Sequence, residues 1–121
     1  MSTNESLIVS VVVDPDAVIV ELGGHADTRA ADELERRLTG LSAQRPALVI
    51  FDLSRLQLIS SICMGSLVRF HHHVTRCGGA VRLAAAQGMV LTALERARLD
   101  LLFSMHPALQ RARDAASNHS P

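Results

Sequence analysis

The stretch Ala47-Leu48-Val49-Ile50-Phe51 constrains the fold most. It is apolar without a break, too short for a globular helix, and bounded by Gln44-Arg45-Pro46 before and Asp52 after. Such a run reads as a strand buried on both faces. A strand hidden on both sides needs helices on two faces of a sheet, so the rest of the chain must supply them.

It does so in order. Leu7–Val13 and Ala17–Leu22 are β-rich runs on either side of Asp14-Pro15-Asp16, where proline fixes φ in a turn. They predict an antiparallel hairpin, ended by Gly23-Gly24. Asp27 or Thr28 reads as the N-cap of an amphipathic helix over 28–41, with Ala30, Leu34, Leu38 and Leu41 inward and Glu33, Glu35, Arg36 and Arg37 in solvent. Asp52-Leu53-Ser54-Arg55 reads as a loop and Leu56–Ile59 as a brief extended stretch. A helix starts at Ser60 or Ser61, runs to about Arg76 and stops at Gly78-Gly79. Ala80–Ala84 is a strand, and Met89–Arg96 a helix with Leu91, Leu94 and Ala97 inward. Leu101–Phe103 is a short strand, and Pro107 opens a terminal helix through Asp114. The fold class is α/β: one domain over 1–121, with a core of about 7–115 and frayed tails. A mixed, mostly parallel sheet of four to five strands, opened by the hairpin, is covered by about four helices.

Composition removes several function classes. Twelve basic residues balance twelve acidic ones and no basic patch emerges, so no nucleic-acid partner is expected. The only aromatics, Phe51, Phe70 and Phe103, make no base-stacking platform. Every basic residue is arginine, which excludes a P-loop or Schiff-base lysine. No apolar run reaches the ~20 residues of a membrane span. Cys63 and Cys77 would lie ~20 Å apart along one helix, too far for a disulfide. Together with the polar opening Met1–Glu5, this points to a reducing, cytoplasmic setting. His71, His72 and His73 point ~100° apart on a helix and cannot converge on a metal; at least one should pack by its ring. No base–nucleophile pair at fixed spacing and no G-x-S-x-G elbow is present, so neither an enzyme nor a cofactor is expected.

Ser60-Ser61 carries the remaining information. A serine at a helix start is an ordinary cap. It is also a place where a phosphate would face unpaired amides and the positive end of the helix, on a surface expected to carry no charge nearby. Ile62, Cys63 and Met64 cover ~300° of the helix and cannot all be buried, so Cys63 or Met64 is expected outside, as part of a protein interface. The exposed hairpin edge would also allow a homodimer.

The order of motifs resembles the STAS domain family of sulfate transporters and anti-sigma factor antagonists, over roughly residues 7–115. The motifs are Gly24-His25-Ala26-Asp27 before the first long helix, Val49-Ile50-Phe51-Asp52-Leu53-Ser54 along the buried strand, Ser60-Ser61-Ile62-Cys63-Met64-Gly65 at the second helix, and Gly78-Gly79 at its end. The resemblance implies an anti-sigma factor antagonist. Such a domain binds an anti-sigma factor that is also a serine kinase, is released when phosphorylated, and is reset by a phosphatase. Ser61 maps to the phosphorylated serine, and Asp27, Ser60, Ser61, Ile62, Cys63 and Met64 to the partner-binding surface. The family motif has Asp at Ser60, Ser at Ile62 and Gly at Cys63. The alternative is an unphosphorylated STAS scaffold subunit of a lipid-transport or stress-signalling complex.

Overall fold

The structure, a computed structural model, describes residues 6–117. The polar opening Met1–Glu5 and the tail from Asn118, with His119, lie outside the described residues. The elements are β1 (Ile8–Val13), β2 (Val18–Ala26), a 3-10 turn (Thr28–Ala30), α1 (Ala31–Ser42), β3 (Leu48–Ile59), α2 (Ser61–Arg76), β4 (Ala80–Ala84), α3 (Gly88–Arg96), β5 (Ser104–His106) and α4 (Leu109–Ser117). One five-stranded sheet has the order β1-β2-β3-β4-β5. β1 pairs antiparallel with β2, and every other pair is parallel. This is the expected α/β architecture, with four helices and a hairpin at its start.

β3 is the centre of the sheet because its first half is apolar on both faces. Val49, Ile50 and Phe51 have no exposed surface. Val49 and Phe51 face the larger core with Leu34, Leu38, Leu67, Phe70 and Leu94 from α1, α2 and α3. Ile50 points the other way, into a small cluster with Ala17, Ile19, Ala84 and Ala112 under α4.

Several boundaries, and one buried face, differ from the sequence reading. β3 does not stop at Phe51: the expected loop 52–55 and the extended stretch 56–59 continue the strand against β2. Asp and Ser suggested a turn, but the Asp52 carboxylate instead accepts the Ser54 amide within the strand. Gly23 and Gly24 lie inside β2, where β3 carries an extra residue at two register shifts, between Glu21 and Gly23 and between Gly24 and His25. Between the two shifts Gly24 has a positive φ of 76°, a conformation that glycine adopts without strain. The last strand is Ser104–His106, not 101–103, because turns after α3, one with Arg98 at φ 62°, carry the chain through Leu102. In α3, Val90 and Leu94 are fully buried and Leu91 is half-buried, while Ala97, the C-cap just past the helix, is exposed.

Candidate functional site

The register shifts bring the ends of β2 and β3 level, with Ala26 opposite Ile59. Each strand then hands over to a helical segment at the same end of the sheet. Crevices beyond the carboxyl ends of parallel strands are where α/β folds most often place function. The two junctions are tied together: the Ser60 amide donates to the Ala26 carbonyl at 2.8 Å, and the Cys63 thiol to the Asp27 carbonyl at 3.4 Å.

Asp27 caps the 3-10 turn, its Oδ1 accepting the Ala30 amide at 3.1 Å while Oδ2 receives Arg29 Nη2 at 3.3 Å. Desolvation pushes its pKa up, but the Arg29 and Ala30 hydrogen bonds and the Arg29 charge outweigh that and hold it below the usual value. The surface is therefore not free of charge, as the sequence suggested, because this ion pair sits beside the helix start.

Ser60 is the N-cap of α2. Its backbone is extended and its Oγ accepts the Cys63 amide at 3.2 Å. Ser61 is the first helical residue and is exposed, and among the described residues its hydroxyl has no hydrogen-bond partner. The amides of Ser61 and Ile62 fall within the first helical turn, which has no intrahelical acceptor for them. This end of α2 thus presents donors and partial positive charge around a free hydroxyl.

The apolar residues divide differently from expectation. Ile62 is the outward one, 52% exposed, whereas Cys63 is fully buried and Met64 packs partly against the core. The hydrogen bond that its amide donates to Ser60 Oγ fixes Cys63 beneath the cap. Burial, and to a smaller degree the Asp27 charge, raises its thiol pKa, against a lowering hydrogen bond from Ser60. Cys63 therefore supports this surface from below.

Sequence reading missed one further connection. Ser66, buried on α2, donates to Glu35 Oε1 on α1 at 2.8 Å, and Arg69 donates to the same oxygen at 2.9 Å. The sequence places Glu35 on a solvated face, and nothing local in it separates Glu35 from Glu33, which pairs with Arg36 and Arg37. Of the three consecutive histidines, His71 does pack by its ring, 4.8 Å from Phe103, while His72 and His73 are exposed. Cys63 and Cys77 are both free thiols. Among the described residues no helix is long and apolar enough to cross a membrane, and no three His, Cys, Asp or Glu side chains gather into a metal site.

A family model described as the STAS domain matches residues 9–112. The chain is similar in structure to an anti-sigma factor antagonist from Mycobacterium paratuberculosis (TM-score 0.88, 21% identity, 98% of this chain and 100% of that one). It is also similar to the anti-sigma factor antagonist SpoIIAA in its unphosphorylated form (TM-score 0.77, 16% identity, 96% and 100%). A third similar structure is the Bacillus cell fate determinant SpoIIAA in the phosphorylated form (TM-score 0.68, 16% identity, 90% and 97%). No curated protein sequence matches the chain.

Proposed function

The chain belongs to the STAS domain family, and we propose that it is an anti-sigma factor antagonist switched by phosphorylation of Ser61. The observation that carries this reading is the exposed Ser61 hydroxyl, unpartnered among the described residues, at the amide-rich start of α2. The similarity to SpoIIAA, solved in both unphosphorylated and phosphorylated forms, supports it.

In the unmodified state, Ile62 gives the partner an apolar contact, flanked by Ser61 and by the Asp27–Arg29 pair. Ser60, Cys63 and Met64 hold that surface in place. The partner is an anti-sigma factor with serine-kinase activity. It transfers the γ-phosphoryl of ATP to Ser61 Oγ: the new O–P bond forms as the bond between the β and γ phosphates breaks, ADP leaves, and the hydroxyl proton passes to a base of the kinase. The phosphate adds ~1.5–2 negative charges beside the helix start and next to the Asp27 carboxylate. An uncharged hydroxyl beside the apolar Ile62 becomes a phosphate, and desolvating that charge against Ile62 disfavours the complex. A phosphatase restores the hydroxyl.

The test is incubation of the full chain with its cognate kinase and ATP, followed by peptide mass spectrometry. Phosphate is expected on Ser61 and absent in Ser61→Ala, and Ser61→Asp should weaken kinase binding at least ~10-fold, or ~1.4 kcal/mol. Absence of phosphate with unchanged binding by Ser61→Asp removes the switch. Ser60, Ile62 and Cys63, which stand where the family motif has Asp, Ser and Gly, favour a second reading, an unphosphorylated scaffold subunit of a lipid-transport or stress-signalling complex. Recovery of transporter or sensor subunits, with no kinase, identifies that role.

A further inference from the structure

The outer strand of the sheet offers a hydrogen-bonding edge that the serine switch does not use. Among the described residues, β1 has a neighbour on one side only, β2. The end of the hairpin fixes which residues bond inward. The Asp14 amide donates to the Ala17 carbonyl at 2.9 Å, so these two residues form a hydrogen-bonded pair. Such pairs alternate along an antiparallel ladder. Val12 with Ile19, Ser10 with Glu21, and Ile8 with Gly23 are then also bonded pairs in this register. Val9, Val11 and Val13 must turn their N–H and C=O groups to the open edge. One contact agrees: Arg37 Nη2 on α1 reaches the Val9 carbonyl at 3.4 Å, from the side away from β2.

The side chains around this edge are exposed and apolar, with Ile8 at 63%, Val12 at 54% and Val13 at 71%. Ile8–Val13 contains no charge and no proline, the devices that usually keep a sheet edge from pairing.

We propose that β1 pairs antiparallel with β1 of a second copy of this chain, about a two-fold axis normal to the sheet, joining two five-stranded sheets into one. A second copy fits because the edge is its own complement. An axis through Ser10 or Val11 sets outward-bonding residues opposite outward-bonding residues and keeps each side chain on its own face. The groups that meet are valine and isoleucine, with Ser10 among them, on both copies, and the strand carries no charge to repel its image. Arg37, with an exposed side chain and a long bond to Val9, is displaced as the ladder closes.

The test is the mass of the full chain by sedimentation equilibrium from ~1 μM to ~1 mM, with amide hydrogen exchange followed in parallel. The mass is expected to double across that range. Exchange at Val9, Val11 and Val13 is expected to slow at least ~10-fold with concentration, while Ser10 and Val12, bonded to β2, stay protected throughout. Val11→Pro removes one outward N–H and no bond to β2, so it should remain folded and monomeric. Should it unfold, Val13→Lys, at an exposed position, should give the folded monomer instead. A wild-type chain that stays monomeric to the highest concentration overturns the proposal, as does a dimer whose Val9, Val11 and Val13 amides exchange at the monomer rate. Neither result bears on phosphorylation of Ser61, so the two readings fail independently.

Discussion

Four consecutive side chains at the start of α2 have four different environments. Ser60 turns back to cap, Ser61 stands free, Ile62 faces out and Cys63 goes under. The division follows from one hydrogen bond, because capping the Cys63 amide sets the phase of the first turn. Ser60→Ala should therefore cost about 1 kcal/mol of stability, read as a lower urea midpoint with an unchanged slope. Ser60→Asp keeps an acceptor at the cap and restores the carboxylate of the family motif. It should return that stability and, where the kinase recognises the motif acid, raise the phosphorylation rate of Ser61. The cap was legible because serine before an apolar run is a start signal. Which of residues 62–64 faced out was not, because helical phase depends on where the cap falls to a single residue.

At the scale of the element, the two extra residues in β3 decide where the site stands. They let β3 continue past its pairing with β4, which ends at Asp52–Ala84, and finish level with β2. The glycines at the end of α2 also divide their work. Gly78, at φ 89°, ends the helix as the sequence predicts. Gly79 is needed for a different reason: a Cβ there would lie 2.5 Å from the Pro46 carbonyl oxygen and 2.7 Å from Val74 Cγ1. Backbone cannot yield cheaply at that distance, so Gly79→Ala should destabilise the fold by about 1–3 kcal/mol, measured by urea unfolding. A tolerated alanine would mean that the α2–β4 turn is loose. The close approach of Pro46 to Gly79 was invisible in sequence, since they are brought together only by the parallel pairing of β3 and β4.

At the scale of the whole molecule, the sheet is covered unequally. Three helices bury one face, and α4 alone covers part of the other. α4 is also pinned to the hairpin turn by the Arg113–Asp14 ion pair. Two histidines tie stability to pH. His71 has its pKa lowered, first by burial and then by the charge of His72; His106 is lowered by burial and then by Arg82. Below the ordinary value of 6.5 the unfolded chain takes up protons that the folded chain resists, so stability is full above that pH and falls as acid approaches the lowered folded values. The urea midpoint should therefore drop between about pH 7.5 and about pH 5.5, and the drop should shrink in His71→Leu. An equal drop in that variant would assign the effect to other groups.

The sequence by itself determined the layer architecture, the order of strands and helices, the hairpin and the helix that begins at the serine pair. Each rests on information within a few residues: apolar periodicity, turn chemistry and a cap. It also placed Ser60 or Ser61 at the head of α2, and the structure makes Ser60 the cap and Ser61 the first helical residue. Only the tertiary structure decided the length of β3, the outward turn of Ile62, the burial of Cys63 and the Glu35–Ser66 bond between helices. Those depend on register and on which groups meet across the sheet, and a chain read in one dimension holds no local signal for them.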